Sequence, residues 1–142
     1  MTTNVTITRE DDAPLADVEA VGEGLGAYNE SHVGEIDFRR VRLFARDENG
    51  GVAGGVLAEV YFRWMFVKIL WLDERVRGRG VGAELMRRAE IAAREAGCDG
   101  IWLDTFSFQA PAFYRKLGYE EFGRLDDYPP GFTRHFFRKM LG

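Results

Sequence analysis

Three glycines and two arginines carry the most specific chemical signal in this chain. In Arg77-Gly78-Arg79-Gly80-Val81-Gly82 glycine recurs at every second position, between an apolar run ending near Leu72 and the strongest helical pattern of the sequence. Glycine lets a backbone come close to a ligand and turn its N–H groups outward. A helix opening just after such a loop adds its own unpaired N–H groups and the positive end of its dipole. Arg75, Arg77 and Arg79 place charge around the same loop. The chemistry expected there is the gripping of a phosphate or pyrophosphate.

Two common phosphate loops fit poorly. A dinucleotide-binding turn needs G-x-G-x-x-G and an acidic residue about twenty positions on. Here the spacing is G-x-G-x-G, and Gly97-Cys98 occupies the region where the acid belongs. The loop of nucleotide hydrolases needs Gly-Lys-Ser/Thr, and this segment has no lysine. The second glycine cluster, Gly22 to Gly26, lacks a strong preceding strand and basic neighbours, and reads as structural.

The elements that must position the loop follow from hydrophobic periodicity. Val5 to Thr8 alternates like a short first strand, and Pro14 opens a helix in which Leu15, Val18, Val21 and Leu25 recur, with a break expected around Gly22–Gly26. Val41, Leu43 and Ala45 alternate with arginines as in a half-buried strand. Glu48-Asn49-Gly50-Gly51 is a hairpin turn, followed by a strand from Val52 to about Phe62, a turn near Arg63-Trp64, and a strand over Phe66 to Leu72.

Val81 to Ala96 is the clearest helix. Its apolar stripe is Leu85, Ala89, Ala92 and Ala96, with Glu84–Arg88 and Glu90–Arg94 as outer pairs and Gly97 as its left-handed cap. Ile101 to Leu103 reads as a buried strand, Ala110 to Leu117 as a short helix stopped by Gly118, and Tyr119–Leu125 with Thr133–Leu141 as a closing strand pair. The order predicts an α/β fold of six to seven strands, with parallel pairing only where a helix crosses over.

Composition narrows the class. The 142 residues are 46% apolar and 30% charged, which fits one globular domain over residues 1–142. A net charge of -4 argues against a general nucleic-acid binder. One cysteine, Cys98, and two histidines, His32 and His135, exclude a disulfide framework and speak against a metal centre. The N-terminus lacks a signal-peptide pattern and no run reaches the ~20 apolar residues of a membrane span. The expectation is a cytoplasmic protein with no membrane partner and no metal.

Arg77-x-x-Gly80-x-Gly82 at a strand–helix junction resembles the acetyl-CoA signature of the GNAT family of N-acetyltransferases. Ala110-x-x-Phe113-Tyr114-x-Lys116-x-Gly118-Tyr119, about thirty residues on, resembles the family's A-x-x-(L/F)-Y-x-K-x-G-(F/Y) helix. The resemblance implies a mostly antiparallel mixed sheet, flanked by helices and splayed at an acetyl-CoA site. Arg77, Gly78, Arg79, Gly80, Val81, Gly82 and Ala83 would then hold the pyrophosphate. Leu70, Trp71 and Leu72 would line the acetyl and pantetheine groups along a strand set off by a bulge, and Tyr114 would face the sulfur as general acid. The family's asparagine seven residues before that tyrosine is Ser107 here, with Gln109 nearby.

The implied activity is direct acetyl transfer from acetyl-CoA to the amine of a small molecule or peptide in a ternary complex. The alternative is a catalytically silent acyl-CoA-binding regulatory module. Glu59, Asp104, Glu35 and Asp37 are open candidates for the base. Trp64, Phe66, Trp71 and the Tyr128–Gly131 turn are candidates for an acceptor cleft, with Asp126 and Asp127 suited to a cationic substrate. The C-terminal strands, with Phe132, Phe136 and Phe137, would allow a homodimer.

Overall fold

The computed structural model describes residues 3–142. Two compact units form, one ending at Ile36 and the other running Asp37–Gly142. In the first, residues 5–8 form no strand, and Val5 and Ile7 are exposed. Helix α1, Leu15–Val33, follows Pro14 and continues unbroken through Gly22, Gly24 and Gly26. Glycine weakens a helix by about 1 kcal/mol relative to alanine but blocks no hydrogen bond, so the expected break does not occur.

The second unit is a six-stranded sheet with two helices. Its elements are β1 (Arg39–Arg46), β2 (Val52–Tyr61), β3 (Trp64–Leu72), a 3-10 turn (Glu74–Val76), α2 (Val81–Glu95), β4 (Gly100–Phe106), α3 (Pro111–Lys116), β5 (Glu120–Asp126) and β6 (Thr133–Met140). The spatial order is β1-β2-β3-β4-β6-β5. Only β3 and β4 run parallel, as the α2 crossover between them requires. Strand β3 begins two residues earlier than expected. Phe62 and Arg63 both take positive φ and make a two-residue hairpin, a conformation their side chains do not advertise. Arg63 then grips Asp99 at 2.8 and 3.0 Å, tying that turn to the start of β4.

Alternation puts Val56, Met65, Ile101, Leu103 and Phe137 on one face of the sheet, fully buried with Met86 of α2. Burying each such side chain contributes about 1.5–3 kcal/mol. The buried stripe of α2 is Leu85, Met86, Ala89 and Ala93, whereas Ala92 and Ala96 are half-buried. Glu84 pairs with Arg88 as expected, and with Arg87. Glu90 does not pair with Arg94 on the outer surface. It is buried and takes Lys139 Nζ at 2.6 Å, and the same ammonium donates to the Leu117 carbonyl at 2.9 Å. One β6 cation thereby fastens α2 to the end of α3. Cys98 is buried, and that burial pushes its thiol above its usual range. Among the described residues no helix is long and apolar enough to cross a membrane, and no group of His, Cys, Asp and Glu is placed to hold a metal.

Candidate active site

Strands β3 and β4 pair over only four positions, from Trp64 opposite Gly100 to Val67 opposite Leu103. Each then runs on, β3 to Leu72 and β4 to Phe106, and the two diverge. The cause lies on the other side of β3. Leu57 faces Ile69 and Ala58 faces Val67, so Lys68 is an extra residue, a bulge that bends the strand. The β4-facing edge of β3 past Val67 makes no ladder bonds, and a cleft of about 640 Å3 opens there.

Leu70, Trp71, Leu72, Arg77, Gly82 and Tyr114 all line this cleft. Gly78, Arg79, Gly80, Val81 and Ala83 belong to the loop and first turn of α2 and are not among its lining residues. Pairing register splits the side chains of β3. Leu70 and Leu72 share the helix-bearing face with Val56 and Gly54, whereas Ile69 and Trp71 share the opposite face with Leu57 and Gly55. On β4, Leu103 and Thr105 are buried toward the helices, and Asp104 and Phe106 point the other way.

The glycine loop has the backbone its composition demands. Gly78 and Gly80 sit at φ 75° and 78°, where alanine is strained. Gly80 caps α2 with no side-chain hydrogen bond, so the first amides of a 15-residue helix have no capping side chain as partner. Gly82 is needed for packing: a Cβ there would lie 3.3 Å from both Leu72 Cδ1 and Phe113 Cζ. The Arg77 guanidinium donates to the Leu72 carbonyl at 3.1 Å and is held at the end of β3. Arg75 is different from the expected free cation. Asp73 binds its backbone N–H at 2.9 Å and its Nε at 3.1 Å, and the backbone bond first, then the guanidinium, hold the Asp73 carboxyl below its usual range. Positive charge at the loop therefore rests on Arg77 and Arg79, which enter no ion pair among the described residues.

Tyr114 is buried at 6% exposure, edge-on to Phe113 and Tyr119 at 5.1 and 5.9 Å. Burial, aided by the Asp104 carboxylate, pushes its phenol up to about 12, so it is protonated at neutral pH. Of the four carboxylates considered as bases, Asp104 alone lines the cleft, and it is paired with Arg134. Glu59 is taken by Lys68 at 2.7 Å and Asp37 by Arg39 at 2.7 Å. Glu35 is exposed and belongs to the first unit.

Ser107 is occupied elsewhere. Its backbone N–H and Oγ bond the Thr133 carbonyl and N–H at 2.8 and 3.0 Å, closing the end of the β4–β6 ladder. Gln109 does line the cleft, its Oε1 accepting from the Phe106 N–H at 2.9 Å. Sequence reasoning missed Arg134, Phe106 and Phe108. Arg134 shares a face of β6 with Phe136, and nothing local in the sequence says that β6 lies against β4. Trp64 and Phe66 are not cleft residues, and Phe66 stacks on Trp102 at 4.2 Å.

A splayed parallel pair and a buried phenol share one cleft, with a glycine loop at a helix N-terminus beside it, an arrangement suited to acyl transfer. The model of the acetyltransferase (GNAT) family matches residues 14–119, and the chain belongs to that family. Blasticidin-S acetyltransferase of Streptomyces morookaense is 44% identical over 99 residues, 69% of this chain and 73% of that protein. An acetyltransferase from Bacillus cereus ATCC 14579 superposes with a TM-score of 0.86 at 37% identity, covering 94% of this chain and 98% of that one. A Bacillus anthracis structure in complex with acetyl coenzyme A shares the fold at TM-score 0.64 and 21% identity, over 72% of this chain and 63% of that one. The protein is thus an acetyltransferase with the mixed, helix-flanked sheet expected of the family.

Proposed function

We propose that the protein transfers an acetyl group from acetyl-CoA directly to an amine of a small molecule, with residues 1–142 acting as one catalytic domain in the cytoplasm. The observation that carries this reading is the meeting, in one cleft, of the unpaired edge of β3, the end of the glycine loop and the Tyr114 phenol. The loop fits a pyrophosphate by its donor set: left-handed Gly78 and Gly80, a helix start without a capping side chain, and the cations Arg77 and Arg79. Acetyl-CoA, when bound, supplies an acyl thioester already activated toward amines.

Along the free edge of β3 the backbone N–H groups of Leu70 and Leu72, which alternate with the Trp71 N–H turned toward β2, are the donors for the acyl oxygen as negative charge grows on it. Gly82 lets the helix start lie close against Leu72, so the loop and the strand edge address one ligand. Tyr114, held protonated by burial, gives its proton to the departing sulfur. The ammonium form of the acceptor loses one proton to solvent before attack and a second as the amide forms. One of these replaces the proton Tyr114 gives up, and a thiol and one net proton leave. Cys98, buried in the core and outside the cleft, is not placed to carry the acyl group, which supports direct transfer.

The relatives are named as acetyltransferases, which favours turnover over a silent binding module. The name of the Streptomyces relative supports a small-molecule acceptor. Thermal melting with acetyl-CoA, NADH and ATP tests the donor. A ligand at a hundredfold excess over Kd stabilises by about 2.7 kcal/mol, so acetyl-CoA alone should raise the Tm. No rise with acetyl-CoA would overturn the assignment.

A further inference from the structure

The far side of the cleft carries information about the acceptor, an inference that rests on the transfer reading above. Asp104 is the first residue of β4 beyond the last β3–β4 pair, at the vertex where the strands part. Its side chain lies on the face opposite α2 and α3 and is only 15% exposed. Arg134 Nε donates to one of its carboxylate oxygens at 2.9 Å, and Nη2 lies 2.9 Å from the other as an ion pair. The guanidinium is itself boxed by Phe106, Tyr128 and Phe136 at 5.5, 5.2 and 5.3 Å.

An ion pair this deep contributes little net stability compared with apolar residues of the same volume, and the aromatic surroundings would readily close around such residues. What the pair does is fix a carboxylate at the vertex in one orientation. A carboxylate accepts about four hydrogen bonds, and Arg134 occupies at most two of those places. Asp104 also lines the cleft, so its remaining acceptor capacity is available to a donor that enters there.

The walls beside it are flat. Trp71 stands on the β3 side, 47% exposed. On the β4 side Phe106 and Phe108 stack at 5.4 Å with their planes 6° apart. Charge is limited: the ionic side chains lining the cleft are Lys68, Arg77 and Asp104, two cations to one anion. A second ammonium on the acceptor would find no partner.

We propose that Asp104, oriented by Arg134, docks the single ammonium of the acceptor while Trp71, Phe106 and Phe108 take a planar conjugated body. The substrate class is a monocationic amine on a short arm from a flat ring, as opposed to an aliphatic polyamine or a peptide N-terminus.

The test is thiol release with acetyl-CoA and four acceptors: tryptamine, hexylamine, spermidine and a neutral tripeptide. The ring amine should exceed hexylamine in kcat/KM by about tenfold, the size of a few stacking contacts, and spermidine should rank last. Asp104→Asn should raise the KM for tryptamine about tenfold or more with a smaller change in kcat. Phe108→Ala removes a ring that is 56% exposed, so it spares the core, and should erase most of the preference for tryptamine over hexylamine. Both variants should keep the acetyl-CoA-induced rise in Tm. If the wild-type protein lacks that rise, the transfer reading itself has failed. If the rise is present but tryptamine is no better than hexylamine, spermidine is preferred, or both variants behave as wild type, the acceptor inference is overturned.

Discussion

Replacing Gly80 with alanine isolates the backbone argument for the pyrophosphate loop. Gly80 takes φ 78° and ψ 7°, and an added Cβ would meet no heavy atom within 4 Å. Crowding is therefore excluded, and the whole effect is the cost of left-handed backbone, about 1–2 kcal/mol for alanine. That strain has two outlets. If the loop keeps its shape, the free protein loses about 1–2 kcal/mol, a Tm drop of roughly 2–8 °C for a chain of this size. If the loop relaxes, its amides turn away from the pyrophosphate and acetyl-CoA binding weakens by up to about 5–30-fold. Urea unfolding of the free protein and an acetyl-CoA titration, read together, should recover about 1–2 kcal/mol between them. Gly80→Asn should lose less in both, because asparagine visits this conformation more readily. At a right-handed position the alanine substitution would instead stabilise by about 0.4–1 kcal/mol. An alanine variant at least as stable as wild type, with unchanged affinity, would refute the left-handed cradle.

Four further outcomes follow from the same geometry. Tyr114→Phe should cut kcat by about a hundredfold or more with little change in acetyl-CoA affinity, measured by thiol release and titration. Folding raises that phenol to about 12, so Tyr114 ionisation should not depress the wild-type rate through pH 10, and its contribution to stability should fade only as pH rises from about 10 toward 12. Gly54→Ala would put a Cβ 2.7 Å from both the Trp71 carbonyl and Leu72 Cδ2, so chemical unfolding should show a loss of about 1–3 kcal/mol, with a raised KM for acetyl-CoA. Lys139→Met strands the buried Glu90 carboxylate and should cost about 3 kcal/mol, whereas adding Glu90→Leu should restore most of it in a double-mutant cycle.

The parts of the site that are contiguous in sequence were readable from it. The glycine loop, the start of α2 and the Tyr114 helix each announce themselves through residues a few positions apart, and the structure brings Arg77, Gly82 and Tyr114 to one cleft. What escaped depends on partners distant in the chain. Arg134 meets Asp104 across thirty residues, and Glu90 meets Lys139 across the length of α2, β4, α3 and β5. Glu90 sits at a spacing that suits Arg94, and no local rule says that a β6 lysine reaches it first. The absent strand at residues 5–8 shows the converse error, since alternation over four residues gives a strand nothing to pair with. Net charge misled in a similar way. Up to Ile36 there are eight acidic residues and one basic, but from Asp37 onward eighteen basic face fifteen acidic, so the unit holding the cleft carries a positive excess.

The two walls of the cleft are held by their outer neighbours, because past Val67 and Leu103 they no longer hold each other. On one side, Gly54 lets the tail of β3 lie tight on β2, and Gly55 lets β2 lie tight on β1. A Cβ on Gly54 would strike β3 backbone, and one on Gly55 would come within 2.6 Å of the Leu43 carbonyl on β1. A glycine pair inside a strand marks such close approach, so the signal was present in Val52-Ala53-Gly54-Gly55. On the other side, β6 pairs with β4 to its last residue, and the Ser107–Thr133 bonds extend the grip one step further. The Lys68 bulge bends β3 where the walls begin to part. A change on β2 or β6 that touches no ligand therefore alters the width of the cleft, and with it the distance from the β3 edge to Tyr114. The serine at position 107, where the family often has asparagine, fits this division of labour. It serves the wall, while Gln109, two residues on, lines the cleft.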